Sequence, residues 1–227
     1  MSTITLQIGQ EFYCKDPQST ELGKKIVSEG IQLLDQLGFE EFTFKKLAAK
    51  IATSEASIYR YFDNKLKFLV YLTSWYWAWM EYMIDHKTHH INDSKNKLQE
   101  ILKILCHVDQ GHLNMDLSGI NTTSLKRVVM IESDKIYLTK KVDEINNEGL
   151  FKGFKGLCHK ISLVIIEINP EYIYPHALVS MVLETAHQQV FFAKHLPSLT
   201  EISKTKTVSI ELQVYEFINH FTFKQLH

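Results

Sequence analysis

Proline and glycine are scarce in this chain of 227 residues, which holds four prolines and nine glycines. Because these two residues interrupt helices most effectively, their scarcity favours long helices. The three cysteines, Cys14, Cys106 and Cys158, lie far apart, which argues against a disulfide framework and favours a reducing compartment. No apolar run reaches the roughly 18 residues that a membrane span needs, and no secretion leader is recognisable. The sequence therefore predicts a soluble, cytoplasmic protein.

Motifs for catalysis and metal binding are missing as well. The chain has no G-x-S-x-G sequence, no phosphate-binding glycine loop and no dinucleotide fingerprint. It has eleven histidines, but groups such as His86, His89 and His90 lack the paired close ligands that a structural zinc site shows at both ends of a loop. We therefore expect no enzymatic activity, no metal site and no cofactor.

Periodic apolar positions fill most of the remaining sequence. Hydrophobic residues make up 45% of the chain and charged residues 22%, a balance typical of globular proteins. The apolar spacing is close to 3.6 residues over long stretches, and no alternating strand pattern competes with it. The pattern predicts an all-α fold, with a first helix that ends at Gly38 and helices over 122–147 and 150–168.

Residues 43–65 predict two short helices joined by a tight turn. Thr43 and Ser54 stand where helix N-caps are expected. The inward positions are Leu47, Ala48, Ile51, Ile58, Tyr61 and Phe62. The outward positions on the second helix are Glu55, Ala56, Ser57, Tyr59 and Arg60. Asp63 is predicted to cap the next helix, whose N-terminus together with Lys65 suits a phosphate group.

Positive charge is concentrated on the same segment. The whole chain has a formal net charge of −1, which by itself does not suggest a nucleic-acid partner. Residues 43–65, however, carry five basic and two acidic side chains, a net charge of +3. Such a local positive surface is suited to DNA, although a solvated helix face of another kind of protein would have the same composition.

An ordered set of residues extends this pattern in both directions. The set consists of Gly38-Phe39, Thr43, Leu47-Ala48, Ser54, Ile58-Tyr59-Arg60-Tyr61-Phe62, Lys65 and Leu69. From about residue 22 to residue 69 the chain thereby resembles the DNA-binding domain of TetR-family transcriptional regulators. A helix-turn-helix spacing alone would be a weak signal, whereas this ordered set is a specific one.

The resemblance implies a role for each matching residue. It assigns DNA phosphates to Thr43 and Lys65, and positioning of the recognition helix on the DNA backbone to Tyr59 and Tyr61. It places Lys45, Ser54, Ala56 and Ser57 near base edges. The chain departs from the family pattern at Ala52-Thr53, where glycine and an aliphatic residue are usual, and at Glu55, where a basic residue is common. Glu55 either accepts a hydrogen bond from a cytosine amino group or weakens DNA binding.

The resemblance also implies a division of the chain. We expect an arm over residues 1–18, a three-helix helix-turn-helix DNA-binding domain over 19–65, and a helical ligand-binding and dimerisation domain over 66–227. The helices at about 175–195 and 206–223 look like the pair through which TetR-family proteins form homodimers. Without a partner, the same apolar stripes would serve as intrachain core.

A small effector is a further implied partner. Aromatic residues are dense between residues 68 and 82, and core packing and ligand contact are alternative explanations for them. The candidate ligand-binding residues are Trp75, Trp79, Tyr82, His107 and Phe154. Their character predicts an apolar or amphipathic effector.

The sequence thus predicts a ligand-responsive transcriptional regulator, expected to act as a repressor that binds a palindromic operator as a homodimer. The alternative is a helical ligand-binding or interaction protein whose DNA binding is weakened or lost. Glu55, the Ala52-Thr53 turn and the near-neutral total charge motivate this alternative.

Overall fold

The computed structural model describes residues 13–108, 119–203 and 207–226. Within these ranges the chain forms helices and contains no strand, which confirms the all-α prediction. The α-helices are α1 (Glu21–Glu41), α2 (Phe44–Ile51), α3 (Glu55–Tyr59), α4 (Lys65–Thr88), α5 (Ser94–Leu105), α6 (Thr122–Glu132), α7 (Asp134–Tyr137), α8 (Val142–Asn147), α9 (Lys152–Ile168), α10 (Pro175–His195) and α11 (Ile210–Gln225). Most of the predicted N-terminal arm, residues 1–12, lies outside the described residues.

The helices are distributed over two compact units. The first contains the described residues up to Trp79 together with 119–154, and the second contains 80–108 and the described residues from Lys155 onward. Helices α4 and α9 contribute residues to both units. These compact units differ from the predicted functional domains, a DNA-binding domain over 19–65 and a ligand-binding and dimerisation domain over 66–227. That functional division stays a prediction.

Two glycines determine the course of α1. A Cβ atom on Gly30 would lie 2.4 Å from the ring of Phe68, so glycine lets α1 approach α4 closely. Gly38 has φ 73° and ψ 166°, which interrupts the regular helix at the predicted stop. Residues 39–41 add one short turn beyond it.

Helix α4 buries aromatic residues on more than one side. Trp75, Trp77 and Trp79 are each no more than 5% exposed, as expected if they form core.

The predicted N-cap of α4, Asp63, was wrong by one residue, because the side chain of Asn64 accepts from the Lys67 N–H at 2.9 Å. The carboxylate of Asp63 instead accepts from the Cys14 thiol at 3.0 Å.

The prediction of one helix over 122–147 was also wrong. The chain breaks after Glu132 and again after Tyr137, and it forms the short helices α7 and α8. Tertiary interactions hold α7 in place of the continuous helix. Ile136 is buried, and the Trp77 indole N–H donates to the Tyr137 hydroxyl at 3.0 Å. Apolar periodicity does not reveal such a break, since the same positions remain inward. Residues 152–168 are helical, as predicted.

In the second unit α10 packs against α11. Their shared core includes Val182, Ala186, Val214 and Ile218, each no more than 4% exposed. Other apolar side chains of the two helices remain exposed, among them Met181 and Phe217. Among the described residues, no helix is both long and apolar enough to cross a membrane.

Candidate DNA-binding surface

Helices α2 and α3 form the helix-turn-helix that the caps and apolar spacing predict. The Thr43 hydroxyl accepts from the Lys46 N–H at 3.2 Å and caps α2. The Ser54 hydroxyl accepts from the Ser57 N–H at 3.2 Å and caps α3. Leu47 and Ile58 anchor the two helices, and neither side chain is exposed.

The turn between the helices keeps a left-handed residue although it has no glycine. Ala52 has φ 56° and ψ 50° at the C-terminus of α2, and the Thr53 N–H donates to the Ala48 carbonyl at 2.9 Å. This is the pattern in which glycine is usual, because a Cβ atom is disfavoured at positive φ. Alanine therefore occupies the turn with some strain, and the turn itself is retained.

Replacing Ala52 by glycine is expected to stabilise the protein slightly. Relief of the left-handed alanine, about 1–2 kcal/mol, exceeds the added entropy of the unfolded chain, about 0.4–1 kcal/mol. We expect a net gain of about 0.5 kcal/mol in the free energy of urea unfolding. The control is Ala49→Gly, the same chemical change on an exposed position inside α2, which should cost about 1 kcal/mol. Equal losses in both variants would contradict this account of the turn.

The exposed face of α3 carries most of the predicted base-edge and backbone contacts. Tyr59 is 48% exposed, and its ring meets Phe44 edge to face at 5.1 Å. Ala56 and Arg60 are exposed, while the Ser57 hydroxyl lies 2.9 Å from that of Ser54. The structure thus brings these side chains together with Glu55 on one small helix.

Tyr61 and Lys65 have contacts inside the protein. Tyr61 is only 4% exposed, and its hydroxyl lies 2.8 Å from the hydroxyl of Thr20. The Lys65 ammonium donates to the carbonyls of Phe39 at 2.9 Å and Glu40 at 3.2 Å, and lies 4.5 Å from the centre of the Phe39 ring. Their DNA contacts stay predictions, and both side chains also hold α1 in place.

The five basic residues of the segment 43–65 are not equivalent. Lys46 pairs with Glu41 at 3.2 Å and Lys50 pairs with Glu29 at 3.1 Å. In the part of the chain that the structure describes, Lys45 and Arg60 are exposed and have no carboxylate partner. The positive potential available to a DNA phosphate therefore comes mainly from these two side chains.

The predicted ligand-binding residues do not belong to one unit. Trp75, Trp79 and Phe154 lie in the first unit, whereas Tyr82 and His107 lie in the second. Tyr82 stacks near His86 with ring centres 5.9 Å apart, and His107 is buried with φ 60°.

A small cavity in the first unit involves Phe154 but neither Trp75 nor Trp79. Its lining residues are Val70, Thr73, Ser74, Trp77, Ile136, Tyr137, Leu150, Phe151 and Phe154. Its volume of about 10 Å³ leaves room for roughly one water molecule. Sequence reasoning missed Tyr137 and Phe151, because the irregular path through α7 and α8 brings them to α4.

A larger groove lies on the second unit between α10 and α11. Its volume is about 260 Å³. Its lining residues are Met181, Val182, Thr185, Gln189, Phe217, Ile218 and Phe221. Met181 and Phe217 are 40% and 46% exposed, a large apolar exposure for two neighbouring helices. Both helices are those predicted to form the dimer.

Histidine contacts are also present, but the described residues contain no group of three or more metal-binding side chains. His159 and His176 approach each other with ring nitrogens 3.2 Å apart. A two-residue contact of this kind falls short of the ligand set of a structural metal site.

Comparison with known proteins agrees with the geometry. Residues 26–72 match the model of bacterial regulatory proteins, tetR family. Over 98 residues the chain is 31% identical to the uncharacterized HTH-type transcriptional regulator YvaF of Bacillus subtilis, a match that covers 42% of this chain. The chain spans half the length of that curated relative.

Solved structures share the fold at low sequence identity. The fatty acid degradation regulator FadR from Bacillus halodurans matches with a TM-score of 0.61 and 14% identity over 95% of this chain and 96% of FadR. AibR in complex with isovaleryl coenzyme A and operator DNA matches with a TM-score of 0.59 and 11% identity over 87% of this chain and 97% of AibR. The ketosteroid regulator KstR2 of Mycobacterium tuberculosis matches with a TM-score of 0.56 and 9% identity over 96% of both chains. With the helix-turn-helix, its caps and the family match in agreement, residues 26–72 are similar to the DNA-binding domain of bacterial regulatory proteins of the tetR family.

Proposed function

We propose that the chain is a ligand-responsive repressor that binds a palindromic operator as a homodimer. The exposed α2–α3 face is the observation that carries the proposal. It presents two unpaired cations, Lys45 and Arg60, beside small and hydroxyl-bearing side chains that suit close approach to a DNA groove. A cytoplasmic location stays a prediction, and we propose no enzymatic role.

The apolar groove on α10 and α11 supports the homodimer. Two copies related by a two-fold axis would cover Met181 and Phe217 of each other and remove this apolar surface from water. Such a dimer would present two α3 helices to successive major grooves, about 34 Å apart.

The effector is proposed to be apolar or amphipathic and to enter the first unit beside Trp77 and Phe154. The aromatic lining of the small cavity supports this, and the names of AibR, FadR and KstR2 point to acyl or steroid chemistry in those proteins. Since the cavity holds about 10 Å³, an effector must bind an opened form. Only tighter binding to that form than to the DNA-bound form would release the operator.

Thermal unfolding with a ligand panel tests the effector class. Fatty acids, acyl-coenzyme A thioesters and steroids are compared with small charged metabolites. A ligand at about 100 times its dissociation constant adds about 2.7 kcal/mol, which should raise the melting temperature by roughly 5–10 °C. Stabilisation by charged metabolites alone would contradict the apolar effector.

The second candidate function is a ligand-binding protein with lost DNA binding. Glu55 favours it, because its carboxylate lies on the helix that would enter the groove and would be repelled by phosphates. The two candidates differ in whether the protein binds DNA at all.

A DNA selection experiment separates them. The unaltered protein is used to select duplexes from a random-sequence library, and affinity for the selected duplex is then measured at low and moderate salt. We expect a palindromic sequence and an affinity that falls steeply as salt rises. Failure to enrich any sequence would favour the second candidate.

Replacing Tyr59 by alanine tests the recognition surface in the same assay. Tyr59 is half exposed and braced by Phe44, so its loss should weaken binding to the selected duplex by about tenfold, the effect of one or two lost contacts. Tyr59→Phe is the matched control, since it keeps the ring packing and removes the hydroxyl. If neither variant changes the affinity, α3 does not contact DNA through this residue.

A further inference from the structure

The end of α1 leads directly into the DNA-binding helices. We call residues 38–42 the hinge segment. It begins at Gly38, where the backbone leaves helical geometry, and it closes with a hydrogen bond from the Phe42 N–H to the Gly38 carbonyl at 3.1 Å. The next residue is Thr43, the cap of α2. The direction in which α2 begins therefore depends on the conformation of the hinge segment.

A buried carboxylate from α6 holds the hinge segment. Glu132 is only 7% exposed, and its Oε1 accepts from the Phe39 N–H at 3.0 Å. A Cβ atom on Gly38 would lie 3.2 Å from the same oxygen, so the close approach also depends on glycine. Burying a carboxylate is costly unless it accepts hydrogen bonds. The hydrogen bond from the Phe39 N–H offsets part of this cost for Glu132, so the contact favours one position of the Phe39 backbone.

Two ion pairs flank the Glu132 contact. Arg127 of α6 forms a bidentate pair with Asp35, in which Nε and Oδ1 are 2.8 Å apart. This hydrogen-bonded guanidinium lowers the pKa of Asp35 from its ordinary value. Lys135 of α7 pairs with Glu40 at 2.8 Å. Helices α6 and α7 thus contact the last two turns of α1 at three points along its length.

The hinge segment is also held from α4. The Lys65 ammonium donates to the carbonyls of Phe39 and Glu40, and to that of Phe42 at 3.5 Å. The peptide groups around Phe39 are therefore bound by a carboxylate on their donor side and by an ammonium on their acceptor side. Charged partners make these hydrogen bonds stronger than neutral ones.

We propose that Glu132 is a positioning residue for operator binding, which fixes the hinge segment so that α2 and α3 are presented in the arrangement that fits DNA. The inference rests on the DNA binding proposed above.

The experiment compares Glu132→Ala with Glu132→Gln in the full chain. The alanine removes the acceptor for the Phe39 N–H, whereas the glutamine keeps an amide oxygen at the same place. Affinity is measured for the duplex selected by the unaltered protein and for a scrambled duplex, and exchange of the Phe39 amide hydrogen is followed in parallel. Glu144→Ala, which removes an exposed carboxylate from α8, is the charge control.

We expect Glu132→Ala to bind the selected duplex about tenfold more weakly, to keep its affinity for the scrambled duplex, and to exchange the Phe39 amide faster. Glu132→Gln should stay within about threefold of the unaltered protein. An alanine variant with faster Phe39 exchange and unchanged operator affinity would overturn the proposal. Equal losses on both duplexes in both variants would also overturn it, because they indicate general destabilisation. Absence of DNA binding by the unaltered protein would instead overturn the proposed function.

Discussion

If the proposed homodimer forms, a Phe217→Glu variant is expected to be monomeric at concentrations where the unaltered chain is dimeric. Phe217 is 46% exposed on α11 and lines the groove between α10 and α11 together with Met181. In a two-fold interface each copy would bury one new carboxylate in an apolar surface, at a cost of several kcal/mol per charge. The dimer dissociation constant should therefore rise by more than about a hundredfold.

Sedimentation equilibrium over a range of concentrations measures this change. The matched control is Leu138→Glu, which places the same charge on a side chain that is 80% exposed in the first unit. The control should dimerise like the unaltered chain. We also expect Phe217→Glu to lose most of its operator affinity, since a monomer binds one half-site only. A Phe217→Glu protein that remains dimeric would show that the groove is not the interface.

The double variant Lys45→Ala, Arg60→Ala is expected to lose roughly a hundredfold in operator affinity at moderate salt. These are the two cations of the segment 43–65 that are exposed and pair with no carboxylate among the described residues, whereas Lys65 donates to backbone carbonyls. A dimer would lose four phosphate contacts, and each contact contributes about 0.9 to the slope of log affinity against log salt. The slope should therefore become shallower by about 3 to 4.

Titration at several salt concentrations gives both quantities. The double variant Lys95→Ala, Lys140→Ala removes the same charge from exposed positions outside α2 and α3, and its slope should match that of the unaltered chain. A second comparison is Lys46→Ala, Lys50→Ala. Because these lysines are already paired with Glu41 and Glu29, their loss should change the slope less. If the Lys46, Lys50 variant changed the slope as much as the Lys45, Arg60 variant, the assignment of Lys45 and Arg60 as the main DNA contacts would be contradicted.

The helix caps and the end of α1 were predictable because they depend on residues close together in the sequence. Thr43 and Ser54 cap their helices as predicted, because a cap depends on a hydroxyl and an N–H three residues away. Gly38 interrupts α1 for the same kind of reason, since glycine tolerates its positive φ. The cap of α4 was placed at Asp63 rather than Asn64, an error of the size expected where two capping residues are adjacent.

The path from α6 to α8 shows where local signals fail. Apolar periodicity predicted one continuous helix, but Tyr137 binds Trp77 across 60 residues of sequence and the chain bends to make that contact. The small cavity consequently contains Tyr137 and Phe151, which no pattern in the sequence singled out. Trp75 and Trp79, which the aromatic stripe did single out, are absent from its lining.

The sequence by itself determined the helical class, the resemblance of residues 26–72 to the tetR family and the two helices of the helix-turn-helix, because caps, turns and apolar spacing act between residues that are neighbours in the chain. Only the tertiary structure decided which of the five cations in residues 43–65 pair with carboxylates, and that Lys65 and Glu132 hold the backbone of Phe39. The Lys65–Phe39 contact joins residues that are 26 positions apart in the sequence. The Glu132–Phe39 contact joins residues that are 93 positions apart. Their formation depends on how α1, α4 and α6 pack in three dimensions, which residue spacing along the chain does not specify.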